Sequence, residues 1–177
     1  MLFAILLATT AASATDDFKL DTKHSAVLFK AHHLGAGYTW GRFNDFEGSW
    51  TAEGEKLMSL TVSVKAESID TSVDKRDKHL RGPDYLEAAT FPTIDFKSTR
   101  IRCADGTCNV KGDLTLHGVT KRVTAELTHT GEGEDPWGGY RQGWEGVLQV
   151  NMPDYGIDQE GVGDQLGLTI AIEGKKR

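Results

Sequence analysis

Positive charge, cysteine, proline and long apolar runs are all scarce in this chain, and each scarcity excludes something. Its 177 residues carry 20 Lys and Arg against 26 Asp and Glu, a net charge of -6, and no basic run occurs before the short tail Lys175-Lys176-Arg177. That balance argues against a nucleic-acid partner. There are only two cysteines, with no Cys-x-x-Cys spacing and no second pair, so neither a zinc cluster nor a dithiol redox motif is supported. Past the first fourteen residues no apolar run approaches the roughly 20 residues of a membrane span. No integral membrane segment is therefore expected in the mature chain. Four prolines against twenty glycines, with Val, Thr and Ile in alternating runs, point to strands and turns with little helix.

Catalytic constellations are missing as well. Asp21, His24 and Ser25 contain an acid, a base and a hydroxyl, yet adjacent strand residues face opposite sides, so His24 is not placed to activate Ser25. A structural tie for the first strand is the better reading. By the same parity His32 and His33 cannot share a metal, and the inward pair His33 and His129 is too small a ligand set. No metal, no cofactor and no enzymatic activity are expected.

What is present begins with MLFAILLATTAASA, an apolar run ending in small residues at Ala12 and Ala14. This reads as a signal peptide over residues 1–14, cleaved after Ala14, which leaves residues 15–177 as one exported domain. Cys103 and Cys108 agree with export. They flank Ala104-Asp105-Gly106-Thr107, and Asp-Gly is the favoured pair for a two-residue hairpin, which sets the two cysteines opposite each other within disulfide reach.

The domain shows eight stretches of alternating polarity, at 25–33, 40–51, 57–66, 92–103, 108–117, 121–131, 140–151 and 164–173. In the first, Val27, Phe29 and Ala31 share one side, and period-two spacing sets His33 with them. In the second, Phe43 and Phe46 fall on opposite parities, so a bulge near Asn44 is expected to realign them. One-sided strands joined by short turns predict consecutive antiparallel pairing, and eight of them close into an up-and-down barrel. Between the third and fourth strands, residues 67–91 read as a short helical insert lying across a barrel mouth. It contains DKRDKHLRG and a second helix start at Pro83. Gly131–Gly139 reads as a loop. Small inward residues, among them Ala31, Ala66, Gly112, Ala125 and Gly146, favour a hollow interior over a filled one.

Five stretches in order, DTKHSAVLFKAHHLG, GRFNDFEG, SIDTSVDKRDKHLRGPDYLEAATFPTIDFKS, GDLTLHGVTKRVT and VGDQLGLTIAIEG, resemble the YceI-like family of periplasmic, lipocalin-like barrels associated with polyisoprenoid lipids. The resemblance runs from Asp21 to Gly174. It departs at NMPDYGID, where Asn151-Met152-Pro153 stand in place of an arginine ahead of Asp154. It implies an all-β, eight-stranded, lipocalin-like barrel whose apolar cavity takes the tail of a polyprenyl phosphate or a quinone. The apolar wall is then expected from Val27, Phe29, Phe43, Leu60, Phe96, Leu114, Trp144 and Leu168, with head-group contacts from His33, Arg76, His79 and Arg81. The function so implied is that of a periplasmic lipid carrier, with a homodimer as one possible assembly. The alternatives are an enzyme acting on a small apolar substrate, or a solid-barrel, stress-related exported protein acting through its surface.

Overall fold

The computed structural model describes residues 14–177. The signal-peptide assignment to residues 1–14 falls almost wholly outside them. The strands are β1 (Asp16–Leu20), β2 (Ala26–His33), β3 (Gly37–Phe43), β4 (Phe46–Glu53), β5 (Lys56–Lys65), β6 (Ile69–Asp70), β7 (Thr93–Ala104), β8 (Thr107–Leu116), β9 (Val119–Glu134), β10 (Tyr140–Asn151) and β11 (Val162–Lys176). One α-helix, α1 (Asp74–Leu80), and 3-10 turns at Ala66–Ser68 and Met152–Tyr155 complete the described residues.

Hydrogen bonds run β1–β4–β5–β7–β8–β9–β10–β11 and back from β11 to β1, a closed antiparallel ring of eight. Two of the eight walls are broken strands. β1 and β2 lie end to end along β11: β1 meets Gly174–Lys176, whereas β2 meets Val162–Ala171. β4 pairs with β1, and β3 pairs with β2. The break between β3 and β4 is the bend at Asn44 and Asp45, and it leaves both Phe43 and Phe46 buried, as a bulge there requires. β6 adds only a two-residue pairing to β3.

The insert stands between β6 and β7 rather than between a third and a fourth strand. Short β1 and β6 carry too few alternating residues to announce themselves, and the single stretch 40–51 is two strands. The helical start expected at Pro83 is absent: Gly82–Ala88 turns repeatedly, and Glu87 has a left-handed φ of 44°. The loop expected at 131–139 is shorter, because β9 continues to Glu134. Asp135 closes what remains by accepting from the N–H groups of Trp137 (3.0 Å) and Gly139 (2.8 Å).

Cys103 and Cys108 are a register pair at the end of the β7–β8 hairpin and form a disulfide with a Cα separation of 4.0 Å. Near this end β1, β10 and β11 are bound together by one side chain. Arg141 donates to Asp21 (3.0 Å), Asp135 (3.0 Å) and Glu173. Ser25 reinforces the seam: its hydroxyl donates to the Asp21 carbonyl (2.8 Å) and accepts from the Glu173 N–H (2.9 Å). This is the tie expected of that segment.

Desolvation, the largest single influence on the Asp21 carboxyl, works against ionisation. Hydrogen bonds from His24, Arg141 and the Lys23 N–H together outweigh it and hold the pKa down at about 2. A depressed carboxylate contributes stability above its unfolded pKa and loses it as pH falls through the folded one. Asp21→Asn is therefore expected to lower Tm at neutral pH by roughly 2–4 °C, equivalent to about 1 kcal/mol for a partly solvated pair. The gap between variant and parent should close between about pH 4 and pH 2, as read by thermal unfolding across that range. A gap that persists unchanged at the acid end would mean that the ion pairs do not hold the seam.

Candidate functional site: a lidded apolar interior with one mouth

The two ends of the barrel are built differently. At the end that carries the disulfide and the β4–β5 and β9–β10 turns, the bore is filled. Trp50 and Trp144 are both almost fully buried, and each donates its indole N–H to one oxygen, Oε1 of Gln142, at 2.8 and 3.0 Å. The Gln142 amide nitrogen in turn donates to the Gly54 carbonyl (2.9 Å) and to Glu132 (2.8 Å). A glutamine only 1% exposed thus has its oxygen and its nitrogen both fully engaged. Phe18 stacks on Trp50 at 5.6 Å, and His129 leans on Trp144 at 5.1 Å. Trp144, expected in the cavity wall, belongs to this plug instead: parity says that it points inward but not how deep in the bore it sits.

Above the plug the bore is hollow. An inner chamber of about 80 Å³ is lined by apolar residues alone, including Val27, Phe43, Leu60, Phe96, Leu114 and Leu168 of the expected wall. An outer chamber, also of about 80 Å³, lies nearer the open end and is lined by Phe29, Ala31, Ile69, Leu80, Tyr85 and Ile157 among others. Phe43, Leu86, Met152 and Leu166 border both chambers and form the neck between them. Two of these, Phe43 and Leu166, are barrel residues. Leu86 comes from the turns after α1 and Met152 from the 3-10 turn after β10, so the neck is closed partly by segments outside the barrel wall.

Small inward residues account for less of this space than their size suggests. Phe96 lays its ring over Gly112 and Phe29 does the same over Gly41, so closely that a Cβ added at either glycine would collide with the ring. These glycines receive aromatic rings rather than leave a void.

The lid is α1 with the turns that follow it, and its anchors are explicit. Asp77, 5% exposed, accepts from the Thr71 N–H (2.9 Å) and hydroxyl (2.5 Å). Arg76 donates to the Thr71 hydroxyl (2.7 Å) and carbonyl (2.9 Å). Arg81 donates to the carbonyls of Glu67 (2.7 Å) and Ile69 (2.9 Å). Arg81 is thus a lid anchor and lines neither chamber. On the far side His117 joins the two segments of the neck. Its Nδ1 donates to the Tyr155 carbonyl at 3.0 Å, and Nε2 lies 3.5 Å from Glu87.

His33 is corrected. It is exposed at the last rung of β2, where β11 bulges between Val162 and Leu166, although it stays in register with Val162 and with Gly37 of β3. It nonetheless borders a side opening of about 260 Å³ next to the outer chamber, and Arg76 and His79 border the same opening along with His32, Thr39, Tyr85 and Glu160. Three of the four residues expected near a head group are thereby brought together. Asp21, His24 and Glu173 lie close enough to share a cation, but the Arg141 guanidinium already holds two of the three carboxyl and imidazole ligands, namely Asp21 and Glu173. The sequence reading missed Gln142, Leu86 and Met152. A polar residue between Tyr140 and Trp144 on an inward parity was the available signal for the first; nothing in the pattern marked the other two.

A closed antiparallel barrel, plugged at one end and lidded over an apolar bore at the other, defines a class of protein with a single way in. The chain belongs to the YceI-like family, whose domain model matches residues 18–174. It is 37% identical over 174 residues to a UPF0312 protein of Pseudomonas aeruginosa, covering 95% of this chain and 91% of that one. Among solved structures it is similar to BcnA of Burkholderia cenocepacia (TM-score 0.78, 23% identity, 87% of this chain and 98% of that one). It is also similar to a polyisoprenoid binding domain from Saccharophagus degradans (TM-score 0.70, 17% identity, 90% and 98%).

The plug and the bore are separable in their effects. Gln142→Leu strands two buried indole N–H groups at roughly 1–3 kcal/mol each, and Tm is expected to fall by roughly 5–10 °C. Gln142 lines neither chamber. Uptake of an apolar fluorescent probe by the folded variant, measured at a temperature where both proteins are native, is therefore expected to match the parent.

Proposed function

We propose that the protein is a periplasmic carrier that holds one isoprenoid-type lipid, a polyprenyl phosphate or a quinone, with its tail in the bore and its head group at the side opening, and that it performs no catalysis. The observation that carries this reading is the inner chamber, whose lining residues are all apolar and whose neck faces a mouth bordered by Arg76, His79 and His33. Burial of hydrocarbon at roughly 25 cal/mol/Å² supplies affinity there without many polar contacts. Polar groups at the mouth then fix orientation. The likeness to a polyisoprenoid binding domain supports the same class of guest, and the disulfide is consistent with an oxidising compartment.

Size constrains how this works. Sites for drug-sized ligands run to roughly 300–1,000 Å³, and each chamber here is about 80 Å³. The described state is thus a closed one. A guest longer than one chamber requires Leu86 and Met152 to withdraw and the two chambers to merge.

Native mass spectrometry of the protein purified from the periplasm, followed by organic extraction, tests the reading and also reports whether the protein is a homodimer. One bound isoprenoid per chain is expected. Leu114→Asp, and separately Leu86→Trp, which fills the neck without burying a charge, are expected to reduce occupancy at least about tenfold. A bare chain that takes up neither an added quinone nor an added prenyl phosphate would sink the carrier reading in favour of a barrel acting through its surface.

A further inference from the structure

Seven large apolar side chains stand strongly exposed among the described residues, and four of them frame the open end. Leu34 (70% exposed) is at the tip of the β2–β3 hairpin, Tyr38 (58%) and Trp40 (56%) are on the outer face of β3, and Val73 (45%) precedes α1. The other three, Met58, Trp137 and Val147, lie in separate parts of the barrel. Leu34 is held where it is. Its N–H donates to the Gly161 carbonyl at 2.8 Å, extending the β2–β11 seam, and its own φ is left-handed at 51°.

Cations interleave with these aromatics. Lys30 pairs in register with Trp40, and its ammonium lies 5.6 Å from that ring and 5.1 Å from Tyr38. Residues 30–42 contain Lys30 and Arg42 and no carboxylate. Residues 71–81 carry Lys75, Arg76, Lys78 and Arg81 against Asp74 and Asp77, and Asp77 is buried on Thr71. Counting Asp70, which pairs in register with Arg42, this lip is cationic by three charges in a chain whose net charge is -6. The adjoining rim, residues 157–164, runs into β11 beside the hairpin and has Asp158, Glu160 and Asp164 and no cation.

We propose that the β2–β3 lip with α1 is a docking surface for a lipid bilayer bearing anionic phospholipid head groups, and that docking sets the mouth of the barrel against that bilayer. Tyr and Trp are the side chains that settle at the water–lipid boundary, and Lys and Arg beside them meet phosphate. Leu34 at the hairpin tip is the group placed to enter the acyl region. Asp158, Glu160 and Asp164 flank the hairpin on its β11 side, so contact with phosphate falls to β3 and α1. A second copy of this chain fits the patch less well, because pairing two such lips sets like charges together. The inference stands on the mouth and its rim, and is independent of what the bore holds.

Vesicle flotation of the disulfide-intact protein tests it, using phosphatidylcholine vesicles and vesicles of equal parts phosphatidylcholine and phosphatidylglycerol. The protein is expected to float with the anionic vesicles, to be released by added salt, and to stay behind with phosphatidylcholine alone. Leu34→Ser combined with Trp40→Ser should lower partitioning at least about tenfold with thermal unfolding unchanged, whereas Trp137→Ser, far from the mouth, should leave it intact. Trp40→Phe gives a second readout: subtracting its emission from that of the parent is expected to reveal a blue shift of Trp40 on adding anionic vesicles. Absence of flotation overturns the proposal, as does flotation indifferent to Leu34 and Trp40. A dimer that Trp40→Ser dissociates, without any flotation, assigns the patch to a second copy instead. A co-purified isoprenoid with no vesicle binding would leave the carrier reading standing and remove this one.

Discussion

The molecule depends on a five-residue strand that must satisfy two neighbours at once. β1 bonds β4 along one edge and the end of β11 along the other, and only through it does the ring of eight close. Parallel to this, β2 and β3 continue the same two walls toward the opposite end, but there β3 finds only the two residues of β6. One end of the barrel is therefore laced shut and the other left with a gap in its wall. The Arg141 clamp and the tryptophan–glutamine plug belong to the laced end, and the lid belongs to the gap.

This division separates roles that compete in a small barrel. Rigid, fully paired polar groups sit where nothing needs to move: Gln142 with its two indoles and Arg141 with its three carboxylates. The bore above them is apolar and makes few directional demands on its contents. The lid is attached by hydrogen bonds made by Thr71, Asp77, Arg76 and Arg81 at its root. Its far side reaches the neck through Leu86 and has two polar ties, Gln159 donating to the Asp84 carbonyl and His117 beside Glu87. Strong anchors at the root and sparser ties on the far side are what a segment needs if it is to lift without unfolding.

Much of the fold was legible because strands with one wet face write their period into the sequence. β7 to β11, the disulfide hairpin and the realignment at Asn44 follow from alternation and turn chemistry. β1 was not legible, since Asp16 and Asp17 leave only Phe18 and Leu20 to alternate, and closure by so short a strand is a property of its neighbours. His33 and Trp144 mark the limits of parity in two different ways. For His33 the period was right but the residue stands at the last rung of β2, on the rim, beside a bulge in its partner β11. Trp144 does point inward, yet alternation carries no information about height along the bore. The neck residues Leu86 and Met152 sit in irregular turns, where no period exists to read.

A bore plugged at one end is a socket and not a tunnel. Whatever enters tail first can leave only head first through the same door, so filling and emptying can never proceed at once, and each exchange passes through a moment when the socket stands vacant or the newcomer waits. For the carrier proposed above, the time that lid and neck spend open would set the pace of loading and of release alike.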